Sequence, residues 1–123
     1  MPGNERELRV TTVMDAEEIA ASGDAVSTSI DQTGKKGNYS LQILVEGDGT
    51  CKIEQEISND NVSYGEPEGA ADLFTGLTKT SGPGSDGKVF KQVTIDFANR
   101  VRLKVTETGT TDSVTVTLKL AIQ

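Results

Sequence analysis

The chain has 123 residues, a net charge of −7 and one cysteine, with 34% hydrophobic and 4% aromatic residues. This length suits a single domain with a thin aliphatic core. The excess of acidic residues disfavours binding to nucleic acid or to anionic lipid, because both are negatively charged. One cysteine cannot form an intrachain disulfide.

The N-terminal part of the chain is predicted to form a strand or arm, residues 1–24, ahead of a β-sandwich at residues 25–123. Apolar residues alternate over residues 7–14, which predicts a strand. Residues 15–21 leave two alternatives: one or two helical turns with Asp15 as N-cap, or a continuation of the strand. We expect no signal peptide and no membrane helix, since no basic segment precedes an apolar stretch and no run approaches ~20 apolar residues.

Residues 37–58 carry the clearest strand pattern of the chain. Residues 25–31 already alternate Val26, Thr28 and Ile30, which predicts a β-strand. After them, two alternating runs flank a Gly-Asp-Gly turn at residues 47–49, and Asp-Gly between such runs predicts a β-hairpin. The alternation places Cys51 on the buried side as a small hydrophobic residue. Residues 58–61 then predict a turn, because their side chains bond their own backbone.

Residues 62–87 form the least regular segment and contain eight glycine or proline residues. Residues 70–74 are predicted to form a short helical turn or a strand fragment within it. A loop of this length in a small domain is usually functional or mobile. We expect residues 81–87 to form an exposed turn that becomes ordered only when something packs on it.

Three alternating runs at residues 88–97, 101–106 and 114–122 predict a closing meander of strands. Strands at this spacing, separated by turn signals, predict an all-β fold: an antiparallel β-sandwich, jelly-roll-like, with at most a short helical turn. We expect a single domain overall, and no strand order is assigned.

The residues needed for common catalytic and metal sites are largely missing. The chain has no histidine, which excludes histidine triads and zinc sites built on Cys and His. Glu54 and Glu56 lie two residues apart, but alternation predicts that they face water beside Lys52, where nothing tunes their pKa. We therefore expect no enzymatic activity, no cofactor and no metal. The weaker alternative is a calcium site, with these acidic candidates: Asp31, Asp48, Asp60, Asp72 and Asp86.

Aromatic side chains offer a second kind of site. Alternation assigns Tyr39 and Phe97 to the core. Tyr64, Phe74 and Phe90 remain as candidates for contact with a sugar or a partner protein. The alternative is that these rings cover the open edge of the core.

Several short motifs together resemble a known group of proteins. They include SNDNVSY at residues 58–64 and VRL at residues 101–103. The others are TSID at 28–31, NYSLQI at 38–43, GTCKI at 49–53 and VTVTL at 114–118. Over residues 25–123 the chain resembles the small β-sandwich virion proteins of tailed bacteriophages and prophages. Discoidin-like and carbohydrate-binding sandwiches share parts of the pattern, but this chain has Tyr64 where tryptophan is frequent.

The resemblance implies a non-enzymatic part of a phage particle: a head-decoration, head–tail or tail-associated protein. Such a protein would act as a homo-oligomer in contact with other virion proteins, and would be assembled in the bacterial cytoplasm. The alternative function is a carbohydrate-binding module of a tail or surface protein. We expect oligomer contacts to use the N-terminal segment and residues 62–87, because each lacks a self-sufficient apolar pattern.

Overall fold

Nine β-strands make up the regular structure of residues 9–32, 38–95 and 98–122, the part of the chain described in this computed structural model, and no helix occurs among them. The strands are β1 (Arg9–Ile19), β2 (Asp24–Val26), β3 (Ile30–Asp31), β4 (Asn38–Gly47), β5 (Cys51–Ser58), β6 (Phe74–Leu77), β7 (Lys88–Thr94), β8 (Arg100–Glu107) and β9 (Val114–Ile122). The all-β prediction is confirmed. Residues 15–19 continue the first strand and do not form a helical turn.

The strands form two antiparallel sheets that enclose one core. The first sheet has the order β1-β9-β4-β7, and the second has β2-β8-β5-β6 with β3 also on β8. The chain is therefore one long hairpin with nested pairs: β1 with β9, β2 and β3 with β8, β4 with β7, and β5 with β6. This nested order, in one four-stranded and one five-stranded sheet, is that of a jelly roll, so the β-sandwich prediction is confirmed.

The predicted hairpin at residues 37–58 is wrong in its pairing. β4 lies in the first sheet and β5 in the second, so the turn at residues 47–50 carries the chain across the core. Gly49 is needed in this turn because there is no space for a side chain, and not because a hairpin requires it. A Cβ at Gly49 would lie 2.7 Å from the Asp112 carbonyl oxygen, because the β8–β9 connection passes against it.

The predicted closing meander is also wrong. β7 and β9 lie in the first sheet, on either side of β4, whereas β8 lies in the second sheet between β2 and β5. Alternation reports which side chains of a strand are buried but not which strand it pairs with. The three predicted runs correspond to β7, β8 and β9, but these strands are not neighbours in one sheet.

The core is aliphatic, as the composition predicts, with Tyr39 as its one fully buried ring among the described residues. Cys51 is buried, and burial raises the pKa of its thiol to about 11. Phe97, the other predicted core ring, lies outside the described residues. The largest fully buried apolar side chains are Tyr39, Leu41, Ile43, Ile53, Leu103, Leu118, Leu120 and Ile122.

The N-terminal strand is part of the sandwich. β1 pairs with β9 from Arg9 to Ile19 and contributes Val13, Met14 and Ile19 to the core. Residues 9–19 therefore do not form an arm separate from the domain that follows.

The predicted strand at residues 25–31 is split into β2 and β3. Between them, the Ser27 hydroxyl accepts the Leu103 N–H at 2.9 Å, and the Thr28 N–H donates to the Val13 carbonyl oxygen at 3.0 Å. The second bond joins this side of the second sheet to β1 and closes one long seam of the sandwich.

The other long seam lies between the edge strands β6 and β7. The Lys91 ammonium nitrogen is 5.1 Å from the centroid of the Phe74 ring, a cation–π contact that links the two sheets. Phe74 also packs against the core. A half-buried ring and a lysine stem thus cover apolar surface that would otherwise meet water.

Residues 78–87 are held by the domain itself. The Val45 N–H donates to the Gly87 carbonyl oxygen at 3.0 Å, and the Gly87 N–H donates to Ser81 at 2.9 Å. Gly87 has φ +79°, and a Cβ there would lie 2.4 Å from the Val45 carbonyl oxygen. The loop is therefore ordered by β4 and needs no external partner. Of the predicted exposed turn at residues 81–87, residues 83–86 are exposed and Gly87 is buried.

Leu118→Ala should lower the free energy of unfolding by about 2–5 kcal/mol, because Leu118 is fully buried on a central strand and its truncation leaves a cavity. Urea unfolding would measure the change. Lys119→Ala, at the next and exposed position, is the matched control and should change stability by less than about 0.5 kcal/mol. Equal effects of the two substitutions would contradict the burial described here.

Candidate functional site

The three candidate rings lie in three different places. Tyr64 lies on the outer face of the second sheet, Phe74 lies in the seam beneath Lys91, and Phe90 lies on the outer face of the first sheet. Phe90 is 65% exposed, whereas Tyr64 and Phe74 are half-buried. The structure does not bring the three rings together, so only Phe90 offers a free aromatic surface.

Tyr64 is engaged with its own domain. Its ring lies 4.0 Å from the guanidinium carbon of Arg102, and Arg102 Nε donates to Glu56 Oε1 at 2.7 Å. The Tyr64 hydroxyl donates to Asn61. The stack of Glu56, Arg102 and Tyr64 fixes the loop after β5 to the second sheet.

Asp60 shapes the turn that leads to Tyr64. Its Oδ1 accepts the N–H groups of Val62 and Ser63 at 2.9 and 2.8 Å and the Ser58 hydroxyl at 2.9 Å. These bonds, led by the one from Ser63, lower the pKa of Asp60. The predicted turn at residues 58–61 is confirmed, and its carboxylate is used by the backbone.

Glu54 is buried, against the prediction that it faces water. It does point to the outer side of β5, opposite Lys104, but its exposed fraction is only 7%. The segment after β5 runs back alongside the strand, with the Leu73 N–H donating to the Ile53 carbonyl oxygen at 2.8 Å and Gly65 paired with Ile57. This segment covers the Glu54 side chain, which the alternation of β5 alone would place in water.

Glu54, Glu66 and Asp72 form the one carboxylate cluster found among the described residues that could hold a metal ion. One oxygen from each lies within 4.8 Å of the others, and Lys52 Nζ lies 3.5 Å from Glu54 Oε1. A hydrogen bond to Glu54 and the nearby negative charges raise the pKa of Glu66. Such oxygens suit a hard cation, or a shared proton.

The predicted calcium ligands are otherwise dispersed. Asp72 alone belongs to the cluster. Asp48 pairs with Lys79, Asp60 caps its own turn, and Asp86 accepts the Lys88 N–H at 3.1 Å. Asp31, on β3, lies opposite Arg100 of β8.

A six-residue patch on the outer face of the first sheet combines polar and apolar groups. Strand register places Lys119, Gln42 and Phe90 in one row across β9, β4 and β7. The next row is Thr117, Leu44 and Lys88. Four of the six, Gln42, Leu44, Thr117 and Lys119, line a shallow concavity. We call these six residues the outer patch; two are lysines and none is acidic.

Glu107 is a buried carboxylate that the sequence analysis did not single out. Its Oε1 accepts the N–H groups of Ser22 and Thr110, each at 2.9 Å. Its Oε2 accepts those of Thr50 at 3.0 Å and Gly109 at 2.7 Å. One side chain therefore ties together three connections at one end of the sandwich. The signal was present, because residue 107 continues the inward series of β8.

The environment of Glu107 strongly favours its ionised form. The four backbone donors, led by Ser22, lower its pKa to about 2, against the opposing effect of desolvation. A buried carboxylate whose lone pairs are all occupied by its own backbone serves the structure and not a substrate.

The opposite end of the sandwich is organised by Gln32. Its side-chain amide donates to the Ala98 carbonyl oxygen at 3.1 Å, and its carbonyl oxygen accepts the Tyr39 hydroxyl. Burial raises the pKa of Tyr39 to about 12. This buried network is satisfied within the fold, since no buried side-chain polar atom of the described residues lacks a partner.

No known protein family matches this sequence, and no curated protein matches it at a significant level. Within the described residues, no helix is long and apolar enough to cross a membrane.

Glu107→Gln should lower the midpoint of thermal unfolding at neutral pH by roughly 5–10 °C, because the amide nitrogen would face two backbone N–H groups whichever way it points. Since the folded pKa of Glu107 lies below its usual value of 4.5, the stability that it gives is complete above that pH and is lost as the pH falls through about 2. Unfolding midpoints measured across this range should therefore converge for the two proteins.

Glu46→Gln provides the matched control, since Glu46 lies exposed on the outer side of β4. It should leave the midpoint unchanged. A Glu107→Gln protein as stable as this control, or one whose deficit persists in acid, would contradict the role given to Glu107.

Proposed function

We propose that this chain is a non-enzymatic structural protein of a tailed phage or prophage particle. It would serve in head decoration, at the head–tail junction or in the tail, and would be assembled in the bacterial cytoplasm as a homo-oligomer. The observation that carries the proposal is the strand order of the two sheets. Jelly rolls of this order are used by viral capsid and lectin domains, where the sandwich presents surfaces to partners.

The positions of the resembling motifs give further support. The SNDNVSY turn and the VRL strand are far apart in the chain, yet Tyr64 of the first lies on Arg102 of the second. The similarity to phage sandwich proteins therefore involves residues that act together in the fold.

The distribution of free surface also favours action through protein contacts. The outer face of β5 is covered by the segment that follows it, whereas the first sheet presents the outer patch with its exposed Phe90. Exposed aromatic residues are enriched where proteins meet.

The predicted oligomer contacts through the N-terminal segment and residues 62–87 stay a prediction, but they need a test other than deletion. Residues 9–13 belong to β1, and residues 78–87 are hydrogen-bonded to β4. Deleting either segment would damage the sandwich itself, so deletion cannot separate folding from assembly.

Particles purified from the phage or induced prophage that carries this gene should contain the chain in a fixed ratio to the major capsid or tail protein. Quantitative mass spectrometry of gradient-purified particles would measure that ratio. Light scattering of the isolated chain should also give the mass of an oligomer, a whole-number multiple of 13.0 kDa greater than one. Absence from washed particles would reject the proposal; a bacterial cytoplasmic enzyme in the same lysate is the control for carry-over.

Carbohydrate binding is the second candidate, and the outer patch is the observation that favours it. An exposed ring can stack on the apolar face of a sugar, while Gln42, Thr117 and Lys119 provide hydrogen-bonding groups beside it. The absence of acidic side chains from the patch favours saccharides that bear a carboxylate.

Titration calorimetry with carboxylated and neutral oligosaccharides should show saturable binding, tighter for the carboxylated set, if this second function holds. Phe90→Ala should weaken the binding by roughly tenfold, whereas Tyr64→Ala, on the other sheet, should leave it unchanged. No saturation up to millimolar saccharide would exclude this function.

A further inference from the structure

The outer face of the first sheet carries charges of both signs in separate rows. Strand register defines three successive rows that cross the strands. The first, the donor row, is Thr12, Lys119, Gln42 and Phe90. The second, the middle row, is Thr117, Leu44 and Lys88, and the third, the carboxylate row, is Glu18, Thr115 and Glu46. The six residues of the outer patch all lie in the first two rows.

The donor row presents hydrogen-bond donors on the surface. Thr12, Lys119 and Gln42 are exposed on β1, β9 and β4, and they offer a hydroxyl, an ammonium group and an amide. No acidic side chain belongs to this row. A row of this composition complements a surface that bears carboxylates at the strand spacing of a sheet.

The carboxylate row supplies such a surface on the same face. Glu18 and Glu46 are exposed on the strands that flank β9, on either side of Thr115. The two register shifts of β1 bring Glu18 into this row, because residues 12–18 of β1 span the same length as residues 115–119 of β9. The Ser113 hydroxyl donates to Glu18 Oε2 at 3.3 Å, which helps to hold this carboxylate on the outer face.

A two-fold axis that crosses the strands along the middle row would exchange the donor row with the carboxylate row. Lys119 of one copy would then lie opposite Thr115 of the other, between Glu18 and Glu46. The Gln42 amide would lie opposite the Glu46 carboxylate. Each contact would occur twice, since a two-fold interface is self-complementary. A face of a single sign would need a different partner, whereas this face complements its own copy.

We propose that the outer face of the first sheet docks on the same face of a second copy of this chain, donor row against carboxylate row. The inference rests on the homo-oligomer of the proposed function and specifies its interface. Sheets that pack face to face keep their strands within about 30° of one another, which an axis across the strands allows. Leu44, half-buried in the single chain, lies on this axis and would be covered by the second copy.

The other lysine of the outer patch, Lys88, takes no part in these pairs. It lies in the middle row on the edge strand β7, so it would meet its own copy only at the rim, where water and salt screen the repulsion. The two lysines therefore have different roles. An anionic ligand spread over the patch would use both, whereas the two-fold contact uses Lys119.

Charge reversal tests the contact. Lys119→Glu would place a carboxylate between Glu18 and Glu46 of the other copy, and Glu18→Lys/Glu46→Lys would place Lys119 between two like charges. By sedimentation equilibrium, each variant alone should dimerise at least about tenfold more weakly than the parent chain. An equimolar mixture of the two variants should recover the parent affinity, because both halves of the mixed dimer are complementary. Recovery would also show that both variants are folded.

Lys119→Ala and Lys88→Ala form a matched pair within the outer patch. Lys119→Ala should weaken dimerisation by roughly fivefold or more, since it removes the central cation from both halves of the contact. Lys88→Ala should not weaken it. Both side chains are exposed in the single chain, so unfolding of the dilute monomer should be alike for the two variants. Equal weakening of dimerisation by the two substitutions would overturn the two-fold contact.

The outcomes distinguish this inference from the proposed function. An oligomer that is insensitive to both charge-reversed variants, or a mixture that does not recover, would overturn the face-to-face contact and leave the virion role standing. A chain that is monomeric at every concentration would overturn the contact and the homo-oligomer together. Absence from purified particles would reject the virion role, whereas recovery in the mixture would still support the contact.

Discussion

The burial of alternate aliphatic side chains between two sheets is the constraint on which this structure depends. β9 and β4 at the centre of one sheet, and β8 and β5 at the centre of the other, direct their apolar rows towards each other. With so few aromatic residues, the layer is filled by Val, Ile and Leu, whose branched shapes pack well on a pleated surface. The two seams, the hydrogen-bond networks at the two ends and the segment after β5 all surround this apolar layer.

The two ends of the layer are closed by different chemistry. At one end, the Glu107 carboxylate collects four backbone N–H groups from three connections. At the other, Gln32 and Tyr39 form a neutral network. The two networks respond differently to acid. Protonation of the Glu107 carboxylate weakens its bonds to the four N–H groups, whereas the Gln32–Tyr39 network has no carboxylate to protonate.

Alternation in the sequence was sufficient to identify the long strands β4, β5, β8 and β9 and their buried faces, and Tyr39, Cys51, Ile53 and Leu103 lie inside as predicted. It could not identify strand partners, because the period of two is the same whether a turn joins neighbours in one sheet or crosses between sheets. The Gly-Asp-Gly turn predicted a hairpin for this reason. Its second glycine, Gly49, is needed because the β8–β9 connection passes too close for a side chain.

The candidate sites were predicted unevenly for the same physical reason. Phe90 was identified as a possible contact residue, and its exposure follows from its place on an edge strand. The burial of Glu54 depends on a segment that folds back from beyond residue 58, which local pattern cannot report. Glu107 was not singled out, because a carboxylate two residues before a glycine is also typical of a turn.

The outermost pair of the nested hairpin joins the two ends of the described chain, with Arg9 opposite Ile122. During synthesis, β1 leaves the ribosome before the other described strands, and its partner β9 is the last of them to be made. Contacts so distant in sequence close slowly. Until β9 is made, β1 has no partner strand in its own sheet. Its two bulges then make β1 a poor template for pairing with β1 of another nascent chain.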